Sequence, residues 1–201
     1  IHTLESLRYR DFRFLWLSTV SVSGGFWTQM VVVGWLAYDR TGSPLLTSLV
    51  LGLDSLPFLI AGPVGGVLAD TWDRRKLLMA GTVYQTLVTT VFATVLILGR
   101  GQTWHIFVFA FAMGLSWALT EPSKSALIPN LVPTSSLVNA FALNTLAFGV
   151  SRLVMPLIGG ALVVAAGPGQ TLLVSSTMYA LTFVATRAVG PLAPRERVVG
   201  G

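Results

Sequence analysis

Four ionisable side chains sit in stretches that otherwise carry almost no charge: Asp54, Glu121, Lys124 and Arg152. A charge at the middle of a bilayer costs about 2.5–3.5 kcal/mol on the insertion scale, so each needs a physical reason. Asp54 and Arg152 are opposite in sign. Counted at about 1.5 Å per residue from the charged ends of their segments, they lie at matched depths of roughly 24 and 22 Å. The match predicts that both face one polar interior, directly or through water. The other reading of Asp54 is that it lies near enough to the outer surface to be wet. Glu121 and Lys124 are three apart and can pair on one helix face. Either Lys124 snorkels to the surface and Glu121 follows, or Glu121 is a protonation site that gates one mouth of a pathway. Asp54, Glu121 and Arg152 are therefore the intramembrane charges most in need of a role. Ser21, Ser23, Thr28, Gln29 and Asn144 are polar additions to a cavity. Trp27 and Trp117 can stack on a flat solute, or simply pack against lipid and neighbours.

Other chemistries find no residues to carry them. Cysteine is absent, which removes disulfides and thiolate sites. No His-Glu-x-x-His or Gly-x-Ser-x-Gly pattern occurs, so no enzyme, metal site or cofactor is expected. His2 and His105 fall at the ends of apolar runs and read as solvated. The net charge of +5 sits in short tufts between apolar runs, not on a basic face, which argues against nucleic acid.

Long apolar elements must position these groups. Of 201 residues, 53% are hydrophobic and 10% charged, against roughly 25% charged in soluble domains. A membrane helix needs about 20 mostly apolar residues. The uncharged runs and the break at "GPGQ" predict an all-α membrane protein with helices over 14–38, 45–69, 77–98, 104–128, 137–165 and 171–189. Residues 1–13 form a lead-in and 190–201 a linker. The first run is too long for a signal peptide and lacks a cleavage site. A start at Ile1 predicts a fragment or a processed form.

Six spans put both termini on one side. That side holds Arg8, Arg10, Arg13, Arg74, Arg75, Lys76, Lys124, Arg187, Arg195 and Arg197. The other holds only Arg40 and Arg100. Cytoplasmic loops are enriched in Lys and Arg, so both termini are expected in the cytoplasm of a multi-pass protein of the cell membrane. Trp16, Trp35 and Trp104 read as interfacial anchors.

The densest charge cluster is the turn after the second run, "GGVLADTWDRRKLL", Gly65 to Leu78. Gly65 and Gly66 let another backbone approach. Asp70 can accept from a helix N-terminus or pair with Arg. Arg74, Arg75 and Lys76 suit a cytoplasmic anchor, but an anchor alone leaves Asp70 and Asp73 without a role.

This turn resembles the signature loop of the major facilitator superfamily, Gly-x-Leu-Ala-Asp-Arg-x-Gly-Arg-Arg/Lys-Lys/Arg. Gly66, Leu68, Ala69, Asp70, Arg74, Arg75 and Lys76 fall on the pattern. Thr71 replaces its first Arg and Asp73 its Gly. The Asp variant is similar to the branch of enterobactin exporters and related macrolide and drug efflux proteins, the transmembrane secretion effector type. "LRYRDFRFLWLS", "GWLAYDRTGSP" and "LIPNLVPTSSLVNAFALN" resemble the lead-in, first external loop and helix 4–5 loop of that branch, in the right order.

The resemblance implies a twelve-helix fold in two halves, each of two inverted three-helix repeats. The chain resembles the N-terminal half alone, ending where a central linker begins. "PVGG" (63–66) and "PLIGG" (156–160) then occupy equivalent helices. Asp70 would contact the other half, and without it would be exposed. "GVSRLVMPLIGG" resembles the helix-5 pattern of proton-coupled exporters. Gly149, Pro156, Gly159 and Gly160 match it, and Met155 replaces its glycine. Pro156 should bend the helix. The proton-relay arginine that the pattern implies four residues before Gly114 is Ala110 here, which leaves Glu121, Asp54 and Arg152 as the implied coupling candidates. The implied function is proton-coupled export of a drug, siderophore or other amphiphile by alternating access. The alternatives are a six-helix protein that dimerises into a transporter and a membrane scaffold without transport. The implied partners are lipid, a small-molecule substrate, and the missing half or a second copy.

Overall fold

The computed structural model describes residues 5–57, 59 and 73–190, apart from the side chains at 119 and 122. Among these residues the chain is helical and has no strand. It forms α1 (Arg10–Thr41), α2 (Pro44–Leu53), α3 (Arg74–Ile97), α4 (Thr103–Leu131), α5 (Leu137–Ala166) and α6 (Pro168–Ala188). Four of them, α1, α3, α4 and α5, are long and apolar enough to cross a membrane. The Ser- and Thr-rich α6 and the ten residues of α2 are not in that set.

Local chemistry sets the ends. Gly42, at φ 60°, caps α1 in the left-handed region open to glycine. Ser43 then accepts the Leu46 amide, and Pro44 opens α2. The Asp73 carboxylate caps α3, accepting from the amides of Arg75 at 2.9 Å and Lys76 at 3.3 Å. Gly167 ends α5 at φ 91°, and Pro168 opens α6.

The expected second helix ran unbroken from 45 to 69. The described chain leaves the helix at Asp54 and Ser55 and is helical again at 56, 57 and 59. Pro57 explains the break. It has no amide hydrogen for the Leu53 carbonyl, and its ring crowds that carbonyl. The rest of the expected span lies outside the described residues, as do Asp70 and Gly66.

α1 is the hub of the bundle, packing against α6, α5, α2 and α4, while α3 packs against α6 and α4. Two separate apolar clusters form. One joins Val32, Val33 and Leu36 of α1 to Val50, Phe92, Phe109, Met113 and Leu172. The other joins Phe12 and Leu15 to Leu78, Leu127, Ile128 and Leu143. Between them on α1, α3 and α4 lie buried polar residues, among them Ser18, Thr19, Ser23, Thr82, Gln85, Ser116 and Thr120. Most of the bonded hydroxyls donate to their own helix, as Thr86 does to the Thr82 carbonyl and Thr120 to that of Ser116.

Candidate functional site

Four helices enclose an open chamber of about 600 Å³. α1 contributes Phe26, Trp27 and Met30, α4 contributes Trp117, and α5 contributes Phe148 and Arg152. Leu51 of α2 and the residues after it, Asp54, Ser55 and Leu59, close another wall. The rings form a continuous surface. Phe26 stacks on Trp117 with centroids 4.7 Å apart and meets Trp27 edge-on at 5.2 Å. Phe148 reaches Trp27 at 5.8 Å and Trp117 at 6.3 Å.

Asp54 and Arg152 thus line one chamber without a direct ion pair. The Arg152 guanidinium lies 5.3 Å from the Trp27 ring centroid, a cation–π arrangement. An Asp54 carboxylate oxygen accepts from the Ser55 hydroxyl at 3.1 Å. Its backbone is held by α4, because the Asp54 carbonyl lies where a Cβ on Gly114 would sit. Pro156, one turn after Arg152, has no amide hydrogen to give the Arg152 carbonyl. The α-helix nevertheless runs through Pro156 without interruption.

Glu121 and Lys124 do pair, at 2.8 Å. The snorkelling reading of Lys124 is corrected, because Lys124 is only 3% exposed while the Glu121 side chain is 33% exposed. The lysine turns inward, its ammonium 5.7 Å from the Trp117 centroid. Trp117 and Lys124 are two helical turns apart on one face, so this face of α4 leads from the chamber to the ion pair.

Gln29 and Asn144 are engaged in packing. The Tyr179 hydroxyl donates to Gln29 Oε1 at 3.0 Å. Gln29 borders a side cavity of about 20 Å³ that shares Phe26, Asp54 and Trp117 with the chamber, about the space of one water. Thr19 donates to Asn144 Oδ1 at 2.8 Å, joining α1 to α5. Trp16 is half-buried, and its indole N–H donates to the Leu143 carbonyl at 3.0 Å, joining α1 to α5. Trp35 and Trp104 remain exposed. His105 accepts the Gln102 amide at Nδ1.

In the helix-5 pattern, Gly159 lets α5 meet the Thr28 backbone of α1, and a Cβ there would come within 3.3 Å of its Cα. Gly149 and Gly160 face open space. The basic turn also does more than anchor. Arg74 donates to the Ala126 carbonyl of α4 at 3.1 Å. Arg75 donates to the Thr186 and Arg187 carbonyls at 3.3 and 2.6 Å, capping α6. Lys76 is exposed.

Sequence reasoning missed Phe26, Met30, Phe148 and Ser55 as chamber walls. Nothing marks them beside the chain's other apolar and hydroxyl residues. The sequence matches the family of transmembrane secretion effectors over residues 1–200.

The chain belongs to the transmembrane secretion effector family.

Relatives of this family member include an uncharacterized MFS-type transporter, YfiS, of Bacillus subtilis. It is 26% identical over 73% of the chain and 34% of its own length. Macrolide efflux protein A of Streptococcus pyogenes is 26% identical over 67% of the chain and 33% of its length. The multidrug efflux pump Tap of Mycobacterium bovis is 22% identical over 86% of the chain and 42% of its length. The chain therefore spans about a third of the length of the first two relatives. The resemblance to major facilitator transporters read from the 66–76 turn is established, and with it a multi-pass membrane protein of a transporter family.

Proposed function

We propose that the chain is a six-helix half of a secondary transporter that exports an amphiphilic small molecule, a drug or siderophore among the candidates, in exchange for protons. The chamber is its share of the substrate site. The other share comes from a second six-helix unit, on further chain or in a second copy, and the two rock about the site in alternating access. Both termini lie in the cytoplasm of the cell membrane, and the six helices form two inverted three-helix repeats.

One observation carries this reading. Two opposite charges and four aromatic rings line a single chamber inside an apolar bundle. Aromatic walls suit the body of an amphiphile, and unpaired Asp54 and Arg152 can each meet an ionic group or a proton. Glu121 and Lys124, one stretch along α4, form a second polar station, with Glu121 the more accessible. A scaffold has no use for charges held at this cost.

Efflux of a fluorescent amphiphile from cells producing the native protein tests it. Asp54→Asn and Arg152→Gln should each reduce efflux at least tenfold while leaving the protein in the membrane. Exchanging the two charges, Asp54→Arg with Arg152→Asp, should recover part of it. Unchanged efflux in both single variants would refute the assignment.

A further inference from the structure

The charges and rings of the chamber occur in an order. The Arg152 guanidinium lies over Trp27, 5.3 Å from the ring centroid. Trp27 meets Phe26 edge-on at 5.2 Å, and Phe26 stacks on Trp117 at 4.7 Å. Phe26 and Trp117 in turn border the side cavity together with Asp54, and Trp27 and Arg152 do not. The wall therefore runs from a cation across three rings to an anion. The two charges come from different segments, Asp54 at the end of α2 and Arg152 within α5, and both helices pack against α1.

Neither charge has an ionic partner among the described residues. The Asp54 carboxylate accepts from the neutral Ser55 hydroxyl, and Arg152 is exposed and lies against a ring face, not a carboxylate. An occupant that fills the chamber strips water from both. A neutral amphiphile leaves two bare charges, and a singly charged one leaves the like charge bare and repelled. Only a molecule of both signs answers both. The volume of about 600 Å³ falls within the roughly 300–1,000 Å³ of pockets that take drug-sized molecules, so two ionic groups with a flat body between them have room.

We propose that the chamber selects a zwitterionic amphiphile. Its acidic group meets Arg152, its flat unsaturated body lies over Trp27, Phe26 and Trp117, and its basic group meets Asp54. A guanidinium suits the acid, because it can give a carboxylate two parallel N–H bonds. The ring faces beside Asp54 favour a cation there as well. The proposal rests on the chamber being the substrate site and adds the charge class of the substrate. A second six-helix unit that brought its own counter-charge to Asp54 or Arg152 would leave a preference for singly charged amphiphiles instead.

Isothermal titration calorimetry of the native protein in detergent tests it, with a naphthalene that carries an aminomethyl group on one edge and a carboxylate on the other. Its N-acetyl form is an anion and its methyl ester a cation, on the same body. A hydrogen bond to a charged group is worth roughly ten- to a hundredfold in affinity, so the uncapped probe should bind at least about tenfold tighter than either capped form. Arg152→Gln should bring the uncapped probe level with the methyl ester and keep its preference over the N-acetyl form. Asp54→Asn should do the reverse. The capped forms on the unaltered protein carry the test where a variant does not fold. A capped form that binds as tightly as the uncapped probe would overturn the proposal and leave the chamber standing as the substrate site. Preferences unchanged in folded variants would take the two charges out of recognition and equally overturn it. No binding of any form would remove the chamber as the substrate site, and the proposal with it.

Discussion

Replacing Gly114 by alanine should damage the protein out of proportion to one methyl group. The added Cβ lands on the Asp54 backbone, 2.6 Å from its carbonyl carbon and 2.7 Å from its Cα. These are backbone atoms, so no side-chain rotation relieves the clash. Ordinary contact begins at 3.4 Å and the Asp54 carbonyl oxygen lies nearer still, so the segment after α2 and α4 must part by well over an ångström. Overpacking of this kind costs about 1–3 kcal/mol. The helix itself gains about 0.5–1 kcal/mol when glycine becomes alanine. A net loss of up to about 2.5 kcal/mol corresponds to a fall of up to roughly 10 °C in unfolding temperature for a domain of this size. Gly149→Ala is the matched control, since nothing lies within 4 Å of its Cβ position. It should keep the propensity gain and unfold roughly 1–4 °C higher. Thermal unfolding in detergent, followed by fluorescence, compares the two. Efflux should fall further in Gly114→Ala than its stability does, because the displaced residue is Asp54. If Gly114→Ala unfolds no lower than Gly149→Ala, the close crossing of Asp54 over α4 is wrong, and with it this placement of the carboxylate.

Three more outcomes follow from named contacts. Glu121→Gln strands a buried ammonium, whereas Lys124→Met leaves a half-exposed carboxylate, so the first should cost about 1–3 kcal/mol and the second less; thermal unfolding of the two variants decides. Tyr179→Phe leaves the buried Gln29 Oε1 without its donor and should cost about 1–3 kcal/mol, with a Gln29→Leu and Tyr179→Phe double variant costing less than the two singles together. Arg75→Gln removes the bonds to the Thr186 and Arg187 carbonyls and should speed hydrogen exchange at the end of α6 by roughly five- to tenfold, a loss of about 1–1.4 kcal/mol; exchange unchanged there would remove the cap from the basic turn's duties.

The sequence reveals membrane character and family, because both are written in local signals. Long uncharged runs are read one residue at a time, and the 66–76 turn is a contiguous pattern. The Glu121–Lys124 pair is equally local, three residues apart on one helix. The burial of Lys124 was not legible, because it depends on Trp117 two turns away and on what α4 packs against. Asp54 and Arg152 are almost a hundred residues apart, and only their cost in lipid hinted at a shared interior. Two details of Trp16 and of helix 2 were less legible, for different reasons. Trp16 looks interfacial by position, yet α5 offers its Leu143 carbonyl at that level. Pro57 was visible in the sequence, and its effect on the Leu53 carbonyl follows from proline chemistry alone, so that break was available to sequence reasoning and overlooked.

Helices in lipid gain little from hiding apolar surface from one another, so close approach and hydrogen bonds must fix their register. Most hydroxyls between the two apolar clusters do not help, because they bond carbonyls of their own helix and would do so at any register. The register rests on a short set of contacts. Tyr179 with Gln29 and Gly25 against the Ser175 carbonyl hold α6 to α1. Thr90 with Ser176, at 2.6 Å, holds α3 to α6. Thr19 with Asn144 and Gly159 against Thr28 hold α5 to α1. Ser116 bonds the Gly81 carbonyl across α3 and α4. These locks tie α1 to α5 and α6, and through α6 tie in α3 and α4. The chamber wall formed by Asp54 and Ser55 is held differently, by one glycine crossing at Gly114 and a helix already interrupted before Pro57. If any part of this six-helix unit yields while the rest moves as a body, the segment around Asp54 has, among the described residues, few bonds to break.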